Sequence, residues 1–332
     1  MRVLCIGILI GLAVTKKKPT KPITVQLKQI KHGKKSLEKF EKQGISIPDL
    51  NLLIGKILKA KKPIKDILYN RTSWHLFANK PRFLPQYNCL IMQVCSYVPN
   101  EDYVLVDMDF EASEIEALPE PIFDPVTKKQ KELVYVREVL IAPGCILIES
   151  GKQGAGVQYI GNYLNWLIKK FAPGEYPTLS TSDVISRDLI EAIKKGGGAE
   201  SVTVAMSEPP VEPGSKYGQL LTPVLKRFKN NKKMVVKFES DTTFNDKEVV
   251  DIYEESQTED GINHIVIHLA AGGTITDVNK YRVRRIIEVE TDSNRRKTAN
   301  RVDLRKKMIE LFLDLQNPNN GGRLVDDKGF LV

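Results

Sequence analysis

The strongest constraint on the fold comes from residues 74–150, where apolar runs rich in β-branched and aromatic residues follow one another. The runs CLIMQVCSYV, YVLVDMDF, ELVYVREVLI and CILIES are separated by prolines and glycines. Short runs of this composition, bounded by turn residues, are typical of β-strands. This section therefore predicts a curved antiparallel sheet.

Helices are predicted on both sides of this β-rich section. An amphipathic helix is expected from Pro48 to about residue 60, and the loop GKQGAG leads into the helix IGNYLNWLIKKF. Beyond residue 180 helices and strands alternate, and the runs INHIVIHL and VRRIIEVE predict a hairpin. A final amphipathic helix is expected from about residue 298 to 316. The pattern predicts an α+β protein with mixed, antiparallel-rich sheets, packed helices and two domains.

The predicted boundaries follow changes in this pattern. Residues 1–20 are an apolar and basic leader, 21–175 a β-rich α+β domain, 180–316 a second α+β domain, and 317–332 a tail. The apolar run 3–14 is shorter than the about 20 residues of a membrane span. Three lysines follow it, which disfavours export. We expect an edge strand or an unstructured extension, with a membrane tether as the alternative, in a cytoplasmic protein.

Positive charge is concentrated in two segments. The chain has 332 residues, of which 42% are hydrophobic and 27% charged, a composition typical of a folded protein, and a net charge of +9. Residues 16–66 hold fifteen lysines against four acids, and Lys34 and Lys35 are the candidate nucleic-acid contacts among them. Residues 280–307 hold eleven lysines or arginines against four acids. The stretch between them carries about −8 by the same count. Such regional surplus attracts an anionic partner, although a lysine-rich surface also serves solubility.

The C-terminal basic segment is the stronger candidate because arginine dominates it. Arginine makes bidentate contacts to phosphate, which lysine cannot. The segment is predicted to run from a strand through a polar loop to a helix N-terminus, where backbone N–H groups also favour anions. Its candidate phosphate contacts are Arg282, Arg284, Arg285, Arg295, Arg296, Lys297 and Arg301. Since no residue pattern indicates base reading, the segment predicts DNA binding with little sequence preference.

An acidic run offers a different function. Asp107, Asp109 and Glu111 alternate, so a strand would place the three carboxylates on one face. Three such carboxylates can hold Mg²⁺ or Mn²⁺ and serve a metal-dependent nuclease. The same alternation also occurs in any strand with one solvated face. A third alternative is a non-enzymatic module whose basic regions bind an acidic protein.

Patterns for other chemistry are missing from the sequence. The four cysteines include no CxxC pair, and the four histidines are dispersed. The loop GKQGAG lacks the order of residues of a phosphate-binding loop, so nucleotide binding is not expected from it. We therefore expect no cofactor, and apart from the nuclease alternative the sequence gives little support for a dedicated enzyme.

The order of elements in the C-terminal half resembles that of the RexA-type phage-exclusion proteins. The similar stretches are the helix NYLNWLIKKF, the helix–strand units, HIVIHLAAGGTIT, YRVRRIIEVE and RVDLRKKMIELFLDL. The resemblance implies a homodimeric DNA-binding protein that senses phage infection and signals to a membrane partner encoded nearby. It implies no catalytic residues.

Overall fold

The predicted α+β fold is confirmed by the computed structural model. The structure describes residues 19–60, 63–70, 73–99, 103–106, 117–120, 122–123, 130–131, 133–151, 153–206, 234–257, 262–276, 281–292, 295–319 and 323–332. The helices are α1 (Lys34–Lys42), α2 (Leu50–Lys59), α3 (Ile64–Ile67), α4 (Val157–Phe171), α5 (Arg187–Lys195), α6 (Asp246–Gln257) and α7 (Arg301–Gln316). Among the described helices, none combines the length and the apolar character needed to cross a membrane.

The strands form a larger and a smaller antiparallel sheet and two short hairpins. They are β1 (Thr20–His32), β2 (His75–Leu84), β3 (Cys89–Tyr97), β4 (Tyr103–Val106), β5 (Ala117–Glu120), β6 (Ile122–Phe123), β7 (Gln130–Lys131), β8 (Tyr135–Ile141), β9 (Cys145–Glu149), β10 (Leu179–Asp183), β11 (Ala199–Met206), β12 (Met234–Phe244), β13 (Ile262–Leu269), β14 (Thr274–Ile275), β15 (Arg284–Asp292) and β16 (Arg295–Ala299). The larger sheet has the order β16-β15-β1-β9-β8-β3-β2, and β10 also pairs with β1. The smaller sheet has the order β12-β11-β13-β14.

Both faces of the larger sheet are covered by helices, which explains its nearly continuous apolar strands. On one face, Ile146 and Ile148 of β9 share a buried cluster with α2 and α4. On the other face, Cys145 and Leu147 share a second cluster with α7, where Phe312 is fully buried. The smaller sheet has its own core with α5 and α6.

The predicted hairpin of INHIVIHL and VRRIIEVE is wrong. The first run is β13, which pairs with β11 and β14 in the smaller sheet. The second run lies in β15, which pairs with β1 in the larger sheet. Proximity in the sequence suggested the hairpin, but β15 instead pairs over seven residues with β1, where Ile23 lies opposite Ile287.

The larger sheet also crosses the predicted domain boundary. The range 180–316 contains β15, β16 and α7, which belong to the larger sheet, together with the strands of the smaller sheet. The predicted tail is packed where it is described, because Val325 is fully buried and the Gly144 N–H donates to the Gly329 carbonyl at 3.0 Å. The apolar leader up to residue 18 lies outside the described residues.

Candidate anion-binding site

A polar cavity of about 320 Å³ lies where β9 turns into α4. The strands β1 and β10 form one wall, with Lys28 and Asp183 facing each other in the register of the sheet. Arg137 of β8 and Arg282, which precedes β15, complete the charged part of the lining. Among the described lining residues, three cationic side chains therefore stand against one carboxylate, which leaves a formal surplus of +2.

Asp183 is shared by two of these cations. The Lys28 ammonium forms an ion pair with Asp183 Oδ1, and Arg282 Nε lies 3.0 Å from Asp183 Oδ2. Arg282 Nε also donates to the Tyr253 hydroxyl at 2.7 Å, and burial raises the pKa of Tyr253 to about 12, so that this hydroxyl keeps its proton. Burial lowers the pKa of Lys28, and Asp183 only partly opposes this shift. The lysine is thus held in a site that disfavours its charge.

Arg137 holds the turn between β9 and α4. Its Nη2 donates to the carbonyls of Gly151 at 3.1 Å and Gln153 at 2.8 Å. The side chain is buried, and its Nε has no hydrogen-bond partner among the described residues. Burial lowers the pKa of Arg137, with Glu149 opposing. A buried guanidinium whose partners are mainly neutral carbonyls adds positive potential to the cavity.

The N-terminus of α4 adds to this potential. Gly156 is the N-cap residue, it supplies no capping side chain, and the first turn of this helix contains no acid. Gly156, Val157 and Gln158 line the cavity. The first N–H groups of a helix and its dipole both favour an anion at this end. The chain therefore passes from the strand β9 to the N-terminus of α4 beside the cavity, although the order of residues in GKQGAG did not indicate a phosphate-binding loop.

The remaining lining is neutral and polar. Gln26 donates to the Ser150 hydroxyl at 2.9 Å, and both residues line the cavity together with Thr181. Val157 is the one apolar side chain among the described lining residues, which include no aromatic ring. The cavity thus offers hydrogen-bond donors and positive charge, and little surface for an apolar ligand.

The structure places the predicted arginines in different environments. Arg282 is part of the cavity wall. Arg284 is exposed and lies opposite Gln26 in the register of β1 and β15, so both side chains project from the same face at the rim of the cavity. Arg285 is exposed and lies opposite Val25, on the other face. Arg301 is ion-paired with Glu149 and donates to the Val136 carbonyl at 3.1 Å, so its charge serves the fold.

The other predicted residues are not brought to this site. Lys34 and Lys35 are exposed at the start of α1. Arg295, Arg296 and Lys297 are in β16, and their side chains lie outside the description. The acidic residues Asp107, Asp109 and Glu111 lie outside the described residues.

Sequence reasoning missed Lys28, Arg137 and Asp183, the buried charges of the cavity. The sequence gives no clear signal, because β1 holds three lysines and β8 holds Glu138 beside Arg137, which resembles the ordinary alternation of a half-buried strand. No protein-family model matches the chain, and the comparison with curated proteins finds no match either.

Proposed function

We propose that the protein binds a phosphate-bearing anion in the cavity between β1, β10 and the N-terminus of α4. The observation that carries this proposal is the pair of buried cations, Lys28 and Arg137, which together with Arg282 line an open polar cavity that contains one carboxylate. Burying a charge is unfavourable unless an opposite charge compensates it. Lys28 shares the carboxylate of Asp183 with Arg282, and Arg137 donates to neutral carbonyls, so a bound anion would complete a compensation that is only partial.

Phosphate fits this lining better than a carboxylate ligand does. Its several acceptor oxygens can use arginine, lysine, amide and hydroxyl donors at once, and all four types line the cavity. Phosphate also binds well at helix N-termini that follow a glycine-containing turn. The volume of about 320 Å³ is at the lower end for ligand sites, which commonly hold about 300–1,000 Å³.

The test is a pair of substitutions at Gly151. A Cβ added there meets no atom within 4 Å, so the side chain can be accommodated. Gly151→Asp adds a negative charge to the wall, and Gly151→Asn adds a neutral group of the same shape. A charge at short range is worth about 1–3 kcal/mol near a protein surface, so the asparagine variant is expected to bind phosphate at least about fivefold more tightly than the aspartate variant.

The measurement is isothermal titration calorimetry of the wild type and both variants with inorganic phosphate and with ribose 5-phosphate. Thermal unfolding of each variant checks that the fold is retained. Absence of phosphate binding by the wild type, or equal affinity of the two variants, would contradict the proposal.

A second function, DNA binding with little sequence preference, is favoured by the exposed arginines of β15. Arg284 and Arg285 are both exposed, and neither is ion-paired among the described residues. Each phosphate contact changes the slope of log affinity against log salt by about one. Arg284→Gln/Arg285→Gln is therefore expected to reduce this slope by about two.

The matched control for this DNA-binding test is Lys194→Gln/Lys195→Gln, which removes two exposed charges at the end of α5. Fluorescence anisotropy with duplex DNA between about 50 and 200 mM salt gives the slopes. An unchanged slope in the arginine variant, or the same change in both variants, would show that DNA does not bind specifically through Arg284 and Arg285.

A further inference from the structure

The lining of the cavity limits which part of a phosphate ligand can enter it. Nucleobases are held in proteins mainly by stacking on aromatic rings or arginine planes and by contacts to their edges. The described lining contains no aromatic ring and one apolar side chain, Val157. The cavity therefore suits a phosphate and the sugar attached to it, while a base would remain outside.

The charge of the cavity selects between types of phosphate. A terminal phosphate monoester carries about −1.5 to −2 at pH 7, whereas each internal phosphate of a strand carries one negative charge. The formal surplus of +2 in the lining matches the terminal group. An internal phosphate would also require two exits for the strand, whereas a terminal one requires a single exit.

The rim provides contacts for what remains outside. Arg284 is exposed on the same face as Gln26, and it is close enough to influence the ionisation of Lys28 electrostatically. Ile286 lies two residues further along β15 on that face and is 71% exposed. Alternate residues of a strand are about 7 Å apart. Arg284 and Ile286 thus lie in succession along one face of β15, at increasing distance from the cavity.

We infer that the cavity receives the terminal phosphate of a nucleic-acid strand, with Arg284 and Ile286 contacting the first nucleotides outside it. This inference rests on the proposed binding of phosphate in the cavity and adds the source of that phosphate. It also joins the cavity to the exposed arginine that the sequence singled out.

The experiment compares internally labelled single-stranded oligonucleotides of one sequence by fluorescence anisotropy. Their ends are a 5′-phosphate, a 3′-phosphate or hydroxyl groups only, and a circular form has no end. The wild type is expected to bind one of the phosphorylated forms at least about tenfold more tightly than the hydroxyl and circular forms, because charge-assisted hydrogen bonds are lost without the terminal group.

Three variants and one control variant locate this preference. Gly151→Asp should abolish the preference for the phosphorylated strand, and Gly151→Asn should retain more of this preference than Gly151→Asp does. Arg284→Gln should weaken binding of the phosphorylated strand more than Lys195→Gln, which removes one charge from α5. Equal effects of Arg284→Gln and Lys195→Gln would contradict the contact at the rim.

Competition by ribose 5-phosphate distinguishes the two sources of phosphate. If all oligonucleotides bind equally while ribose 5-phosphate binds in calorimetry and responds to Gly151→Asp, the strand-end inference is overturned and the cavity remains a site for a small phosphate ester. If neither inorganic phosphate nor ribose 5-phosphate binds, the proposed function itself fails. Displacement of the phosphorylated strand by ribose 5-phosphate, with no effect on the hydroxyl strand, supports the inference.

Discussion

Replacing Asp183 by asparagine tests whether this residue belongs only to a structural ion pair or also to the proposed anion site. Asp183 is 2% exposed and interacts with both Lys28 and Arg282. The substitution keeps the shape of the side chain and leaves the three cations of the cavity, two of which pair with Asp183, without a carboxylate in the described lining. Removing one partner of a buried ion pair typically costs about 3–5 kcal/mol. Loss of the proton from Lys28 limits the cost, since burial already lowers its pKa.

The same substitution should strengthen phosphate binding. The carboxylate of Asp183 repels an anion in the cavity, and removing that repulsion is worth about 1–3 kcal/mol, or about tenfold to a hundredfold in affinity. A ligand at a hundred times its dissociation constant stabilises the folded state by about 2.7 kcal/mol. Asp183→Asn is therefore expected to be unstable in chloride and to recover much of its stability in phosphate.

Urea unfolding at matched ionic strength, in chloride and in phosphate, measures this recovery through the fluorescence of Trp74 and Trp166. The control is Glu138→Gln, which removes another buried carboxylate whose partner, Arg305, lies 2.9 Å away. Glu138 does not line the cavity, so its variant should be destabilised without a comparable recovery. Equal recovery of both variants would refute the assignment of the site.

Two further predictions concern the ionisation of the cavity and the packing of the C-terminal segment. Burial lowers the pKa of Lys28, so as the pH rises from 7 this lysine should lose its proton, and phosphate affinity should fall, below the usual pKa of 10.5. In calorimetry, Lys28→Arg should retain its affinity over that range. A fall in affinity that persists in Lys28→Arg would assign the titration to another group. Gly144→Ala places a Cβ 2.6 Å from Phe330 Cδ1 and 2.9 Å from its Cα, so urea unfolding should show a loss of about 1–3 kcal/mol, and an unchanged midpoint would contradict this packing.

Much of the secondary structure could be predicted because it depends on local pattern. The runs that form β3, β8 and β9 are apolar and β-branched, and the spacing of apolar residues in α7 matches its buried face. Strand pairing was harder, since β1 and β15 are separated by more than two hundred residues and yet share a seven-residue register. Nothing in either strand alone distinguishes this partner from the neighbouring β13.

The candidate site could be predicted only in part, because sequence does not tell which charged residues are buried. Among the lysines of residues 16–66 whose positions the structure describes, Lys28 is the one that lines the cavity. Arg282 was singled out for its charge, but its position depends on Asp183 and Tyr253, which come from distant parts of the chain. The turn GKQGAG was set aside for its spacing, whereas its relevance arises from the helix N-terminus beside it.

A carboxylate inside an anion site has a physical reason. Without Asp183, the unliganded protein would hold three cations around the cavity, two of them buried, and the folded state would bear the cost of their mutual repulsion and lost hydration. With Asp183, that cost is reduced, and the remaining surplus of +2 still attracts an anion. We therefore expect stability and affinity to depend on this residue in opposite directions. A carboxylate with a purely structural role would lower stability when removed and leave affinity unchanged.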